Sequence, residues 1–221
     1  INRLISKEYK LFDFHILVFP GGFTYGDDVA AGKVLANELK VKLGTEVARF
    51  IDDGRLILGI CNGFQVLMKA GILPRLKKNE IPPLTLTNND SGKFECRWVY
   101  LGVNQKSPCI FTKGMEQMYI PVAHGEGKVM GDLTTITEKN IAVYYTDEKG
   151  DRTAGYPCNP NGSIQNIAGI CDNSGRVFAL MPHPERHVLG TQHPRWTRLG
   201  VKKYGDGFPV FQNAVRYARA I

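Results

Sequence analysis

A chain of 221 residues, 43% of them hydrophobic, can bury one sizeable core and is read as one domain spanning residues 1–221. Its formal charge of +7 is spread along most of the chain without a basic helix, zinc-finger spacing or aromatic-rich RNA motif, which argues for a solvated surface and against a nucleic-acid partner. Five cysteines form no Cys-x-x-Cys pair, no apolar run could cross a bilayer and no signal peptide is visible, so a soluble, cytoplasmic protein without disulfides or membrane partner is expected.

Residues 1–13 mix polar and apolar character, and the first clear strand reads from Phe14 to Phe19, which leaves room for a segment upstream. It ends at Pro20-Gly21-Gly22, where bare backbone could approach a ligand closely. Gly32-Lys33 is no phosphate loop, because Gly26 lies six residues before Gly32 and Val34 replaces the hydroxyl residue. Asp27 or Asp28 is instead expected to cap a helix from Val29 to Lys40, and Thr45 a short helix from Glu46 to Asp53 that stops at Gly54. A buried strand follows at Leu56 to Ile60, and Phe64 to Ala70 has helical spacing up to Gly71.

Cys61 sits at the seam between this strand and helix. Gly59-Ile60-Cys61-Asn62-Gly63 is the cysteine counterpart of the Gly-x-Ser-x-Gly elbow, a sharp turn that exposes a nucleophile. A buried structural cysteine is the alternative, and the flanking glycines count against it. Placement at a helix N-terminus predicts a lowered thiol pKa.

Beyond Pro74 the pattern turns β-rich. The β-rich stretch runs from Leu84 to about Leu180, with strands expected at Lys93 to Tyr100, Met118 to Val122 and Ile141 to Thr146. Ile167 to Cys171 and Val177 to Met181 would form a hairpin about Asp172-Asn173-Ser174-Gly175. A docking helix is predicted from Val210 to Ala220, with Val210, Phe211, Ala214, Val215 and Ala218 on one side. The early strand–helix alternation implies a parallel sheet with ligands at the carboxyl ends of its strands.

A cysteine nucleophile needs a base, and the base an orienting group. The last strand runs into Pro182-His183-Pro184-Glu185, where residues two apart point the same way and the prolines stiffen the backbone. Cys61, His183 and Glu185 can therefore form a triad. His124 and Glu126 are a second His/Glu pair that rivals it by chemistry alone. His183, His187 and His193 match no compact metal motif, and no metal is expected. A basic excess from Arg186 through Arg195, Arg198, Lys202 and Lys203 could face an anionic ligand, a partner or only solvent.

These residues in this order resemble the class I, triad-type glutamine amidotransferases. The segments Pro20 to Asp28, Gly59 to Gln65, Val122 to Gly127, Asn159 to Ser163 and Met181 to Arg186 are similar to those of the glutaminase subunits of phosphoribosylformylglycinamidine synthases. The resemblance implies a three-layer, flavodoxin-like α/β fold with a mostly parallel central sheet and additional antiparallel strands. It also implies that a strand and helix of the family pattern precede Ile1.

For function, the resemblance implies Cys61 attacking the glutamine side-chain amide, His183 moving the proton and Glu185 orienting it. Backbone N–H groups of Asn62 and of Gly22 or Phe23 would hold the oxyanion. Gln65, Phe94, Arg97, His124 and Glu126 are weaker candidates for the glutamine pocket; for the last two, the partner interface or a structural turn is the alternative. No cofactor is expected on this chain; ATP and Mg belong to a partner synthetase large subunit, and a small accessory subunit would fit the same complex. Two other readings remain open, a cysteine hydrolase of peptide or γ-glutamyl bonds and a non-catalytic scaffold.

Overall fold

The computed structural model describes residues 1–27, 30–74 and 83–221. Its strands are β1 (Ile16–Phe19), β2 (Leu56–Ile60), β3 (Leu84–Asn88), β4 (Glu95–Val103), β5 (Gln117–His124), β6 (Glu126–Gly131), β7 (Ile141–Thr146), β8 (Ile167–Cys171) and β9 (Val177–Leu180). The α-helices are α1 (Asn2–Ile5), α2 (Lys33–Glu38), α3 (Gly44–Asp52), α4 (Asn62–Lys69), α5 (Trp196–Leu199) and α6 (Phe208–Ala218). No helix among these residues is long and apolar enough to cross a membrane.

Seven strands form the main sheet in the order β1-β2-β9-β8-β7-β4-β5, and β3 pairs with β6 in a separate antiparallel ribbon. The α/β class is as expected, but parallel pairing is less extensive than a mostly parallel sheet implies. It joins β1 to β2 and β2 to β9, while β9 through β5 pair antiparallel. The cause is connectivity. Short links such as Asp172–Arg176 return the chain directly beside itself, whereas β1 reaches β2 through helices α2 and α3.

The parallel part carries the densest burial. Every residue of β2 and β9 is buried, as their continuous apolar sequences require when both faces are covered. α4 is buried from Asn62 to Met68 and packs on this part of the sheet. α3 adds Val47, Phe50 and Ile51, apolar at spacings of three and four, to the same core. At the other end of the chain, α6 buries Val210 and Ala214, and Asn213 Nδ2 donates to the carbonyls of Phe111 at 3.1 Å and Lys113 at 2.9 Å.

Several boundaries differ from the expectation. β1 begins at Ile16, because Phe14 lies half exposed at a turn whose carbonyl accepts from Arg55 Nη1. Asp28 and Val29, one candidate cap and the expected helix start, lie outside the described residues; the helix that follows begins at Lys33 behind Gly32. No gap separates it from the next. A π-helical turn, Leu39–Leu43, carries the chain into α3 with Leu39 and Leu43 both buried, so Thr45 lies inside the helix and does not cap it. β6 was not foreseen, since its glycines mask the strand pattern.

One close approach governs this half of the fold. A Cβ on Gly63 would lie 2.0 Å from the Phe19 carbonyl oxygen, and one on Gly59 would lie 2.7 Å from Leu67 Cδ1. Any side chain at residue 63 would push the start of α4 off β1. Gly63→Ala is therefore expected to destabilise the protein by about 1–3 kcal/mol or more in urea unfolding. Gly155→Ala, where a Cβ meets nothing within 4 Å, serves as the neutral comparison. Equal unfolding midpoints for the two variants would contradict this account.

Candidate active site

Three adjacent parallel strands end at one place. Phe19 is the register partner of Gly59, and Ile60 of Leu180, so the segments following β1, β2 and β9 leave the same edge of the sheet together. Those segments carry Gly22, Cys61 and His183. This is the carboxyl end of the parallel strands, where open α/β sheets bind ligands.

Cys61 adopts φ +51° and ψ −107°, a backbone conformation rarely taken by a non-glycine residue. Its N–H donates to the Leu180 carbonyl at 2.8 Å, and its own carbonyl accepts from Phe64 N and Gln65 N, which ties the strained residue to both strand and helix. The thiol is buried and donates to the Ala123 carbonyl at 3.7 Å. Burial pushes its pKa up to about 11, against the opposing pull of the Asn62 N–H, the Arg186 guanidinium and the Gly22 N–H. The lowered pKa expected from the helix N-terminus is thus overturned: the dipole acts, but loss of water outweighs it. The two N–H groups that favour negative charge at the sulfur belong to Asn62 and Gly22. The exposed Phe23 ring lies 6.4 Å from that of Phe94.

His183 is buried on the neighbouring segment, held by its N–H to the Pro121 carbonyl at 2.8 Å. Its Nδ1–H donates to Glu185 Oε1 at 2.6 Å; a carboxylate can only accept, so this contact fixes the tautomer and leaves a lone pair on Nε2. Among the described residues, Nε2 is buried with no hydrogen-bond partner, as is Glu185 Oε2. A Cβ on Gly21 would lie 2.7 Å from His183 Cε1 and 3.3 Å from Cys61 Cβ, so base and nucleophile meet the same stretch of bare backbone.

A cavity of about 290 Å³ opens at Cys61, walled by Gln65, Phe94, His124, Glu126 and Arg186 among others. A larger cavity of about 390 Å³ beside β1 is lined mainly by aliphatic residues such as Leu17, Leu35 and Leu39. Gln65 Nε2 donates to the Glu126 carbonyl at 2.5 Å, joining α4 to the β5–β6 turn. His124 is buried, with Nδ1 donating to Asn89 Oδ1 at 3.1 Å and Nε2 without a partner among the described residues. Asn89 also accepts from Gly127 N and donates to the His124 carbonyl. The segment Asn159 to Ser163 braces the same turn from behind: Asn161 Nδ2 donates to the Gly127 carbonyl at 2.8 Å, and Ser163 Oγ accepts from Val129 N at 3.0 Å.

One expectation is corrected here. Arg97 does not line the cavity; its guanidinium is drawn to Glu95 at 2.6 Å and donates to Tyr156 OH at 2.7 Å. Arg186, which the sequence singled out only as part of a basic excess, does line it. His187 and His193 pack with Trp98 in an aromatic group, and His187 Nδ1 donates to the Tyr119 carbonyl. Among the described residues, no cluster of His, Cys, Asp and Glu is arranged to hold a metal.

A family model described as a CobB/CobQ-like glutamine amidotransferase domain matches residues 1–218. The chain belongs to this family of glutamine amidotransferases. Among similar amidotransferases, the phosphoribosylformylglycinamidine synthase subunit PurQ of Dehalococcoides mccartyi is 56% identical over 221 residues, covering 100% of this chain and 86% of the relative. The subunit of the same name from Archaeoglobus fulgidus is 44% identical, covering 96% of this chain and 81% of its own. A solved structure described as PurLQS from Thermotoga maritima superposes with a TM-score of 0.70 at 37% identity, over 95% of this chain and 82% of that one.

Burial, aided by the nearby His183, holds the His124 pKa down to about 4 from 6.5. Between these values the unfolded amidotransferase binds the proton that the folded one refuses, so stability should fall as pH drops from 6.5 toward 4. The loss from this group is on the order of 3 kcal/mol. Chemical denaturation across that range should show a flatter loss in His124→Gln than in the wild type. An unchanged pH slope would contradict the assignment.

Proposed function

We propose that this chain is the glutaminase subunit of a phosphoribosylformylglycinamidine synthase, acting in the cytoplasm in purine biosynthesis. The observation that carries the reading is the convergence of a strained Cys61, the free Nε2 of a Glu185-oriented His183 and two backbone N–H groups beside one cavity. Identity of 56% to a relative of that name, over the whole chain, supports the specific complex.

In this reading glutamine enters the cavity with its side-chain amide toward Cys61. The resting thiol is protonated, so His183 Nε2 takes the S–H proton as the sulfur attacks the amide carbon. Negative charge on the former carbonyl oxygen is met by the N–H groups of Asn62 and Gly22; losing one such donor typically costs about 100- to 1000-fold in rate. His183 then returns its proton to the departing nitrogen, the C–N bond breaks, and ammonia leaves a glutamyl thioester on Cys61. Water, deprotonated by the same imidazole, attacks the thioester, and glutamate departs as the thiol is restored. Glu185 fixes the tautomer and stabilises the imidazolium at each step.

Released ammonia passes to a synthetase subunit, which converts formylglycinamide ribonucleotide to formylglycinamidine ribonucleotide using ATP and Mg bound on that partner. Gln65, Phe94, His124 and Glu126 form the wall against which glutamine is held.

The test is ammonia release from glutamine by this chain, alone and with a matching synthetase subunit and its substrates. Activity is expected to rise with the partner, to vanish in Cys61→Ala, and to fall about 100- to 10,000-fold in Glu185→Gln. Partner-independent cleavage of peptides would favour a free hydrolase, and full synthase activity with Cys61→Ala would favour a scaffold.

A further inference from the structure

The two backbone N–H groups beside the sulfur come from separate elements. That of Asn62 opens α4, and that of Gly22 lies in the loop that follows β1. Gly21 and Gly22 have no side chains to anchor this loop, and Gly22 adopts φ +137° with nothing within 4 Å of where a Cβ would stand. Phe23 is exposed. The first polar anchor of the loop is Thr24, whose Oγ1–H donates to the Asn62 side-chain oxygen. Tyr25 is tied elsewhere, its hydroxyl donating to Glu38 Oε2 at 2.5 Å on the exposed side of α2.

The Thr24 bond is the outer link of a chain. Asn62 Nδ2 donates to Gln65 Oε1 at 3.0 Å, and Gln65 Nε2 donates to the Glu126 carbonyl at 2.5 Å. A carbonyl can only accept, so this end fixes the sense of every link: Gln65 turns Nε2 toward Glu126, Asn62 turns Nδ2 toward Gln65, and Asn62 Oδ1 is left to accept from the loop. The Thr24 hydroxyl supplies that donor. Asn62 and Gln65 are both buried, where hydrogen bonds hold more strongly than in water. Thr24 itself lies on the wall of the aliphatic cavity beside β1, whereas its neighbours Gly22 and Phe23 line the cavity at Cys61.

We propose that Thr24 is a positioning residue for the reaction: its hydroxyl, bonded to the Asn62 side chain, locks the loop after β1 to the start of α4 and keeps the N–H groups of Gly22 and Asn62 aimed at one point beside the sulfur. The assignment rests on the glutaminase reading and deepens it. Donors serve an oxyanion only when they are in place before its charge develops, and a misplacement of about 1 Å can cost about 100-fold in rate. Gln65 is held at its far end by the Glu126 carbonyl, so loss of the Thr24 bond frees the loop while the glutamine wall keeps its anchor.

The test compares rate, binding and local opening. Thr24→Val keeps the branched shape and loses the hydroxyl. In complex with the synthetase it is expected to lower kcat for ammonia release about 10- to 100-fold, with KM for glutamine within about twofold of wild type. Thr24→Ala should match it, and Thr24→Ser, which keeps the donor, should recover most of the rate. Tyr25→Phe removes the neighbouring bond of the same loop and should leave kcat unchanged, because water replaces a bond at the surface. Amide hydrogen exchange, read by mass spectrometry on the chain alone, should speed up in residues 20–27 and 61–66 of Thr24→Val, while unchanged protection of β9 reports that the variant is folded. Wild-type kcat in Thr24→Val, a rise in KM alone, an equal loss in Tyr25→Phe, or unchanged exchange in both segments would overturn the proposal. If exchange rises as expected while the wild-type complex releases no ammonia from glutamine, the clamp stands and the glutaminase reading falls.

Discussion

The contact between the Gly63 backbone and the Phe19 carbonyl is the constraint on which the rest of the site depends. It lets α4 start directly beside β1 and forces the chain to turn within one residue at the end of β2. That residue is Cys61, held at positive φ by hydrogen bonds to strand and helix on either side. Because β1, β2 and β9 are parallel and in register, the same turn aligns the Gly21-Gly22 backbone and His183 with the thiol. Strain at one residue is thus supported by burial across three strands and a helix.

The electrostatics describe a resting state. In the proposed reaction, the protonated thiol that points at the Ala123 carbonyl and the buried His183 Nε2, without a partner among the described residues, are the two halves of a proton transfer. A buried thiolate would be costly without substrate, and the groups that favour it, the N–H of Asn62, Arg186 and the N–H of Gly22, are already in place. In the proposed reaction, the thiolate forms only as glutamine presents an electrophilic carbon to it. This arrangement limits reaction of the sulfur with other electrophiles.

Much of this was legible in the sequence, for physical reasons. Glycines two before and two after Cys61 are what a tight strand-to-helix turn demands, and His183 and Glu185 are close enough in the chain for one strand end to present both. The Asp172–Gly175 hairpin and the buried strands were legible from turn residues and apolar runs. Properties created by tertiary contacts were not. The Cys61 pKa depends on how completely β5 and the Gly-rich loop cover the sulfur, which no local pattern encodes. Arg97 looked like a pocket residue, but in the fold it is held by Glu95, two residues earlier on β4, and by the Tyr156 hydroxyl. Arg186 looked like one of several surface cations, and its place at the cavity follows from the turn after His183. The continuous passage from α2 into α3 was hidden because a capping threonine was available where no cap was needed.

The proposed reaction requires a covalent bond to Cys61. The most direct measurement is the intact mass of the protein, acid-quenched while turning over glutamine in complex with its synthetase, followed by peptide mapping. A glutamyl adduct on the peptide containing Cys61, absent from Cys61→Ala, is the predicted result. Ammonia release with the adduct on another residue, or with none accumulating even when hydrolysis of the intermediate is slowed, would contradict it.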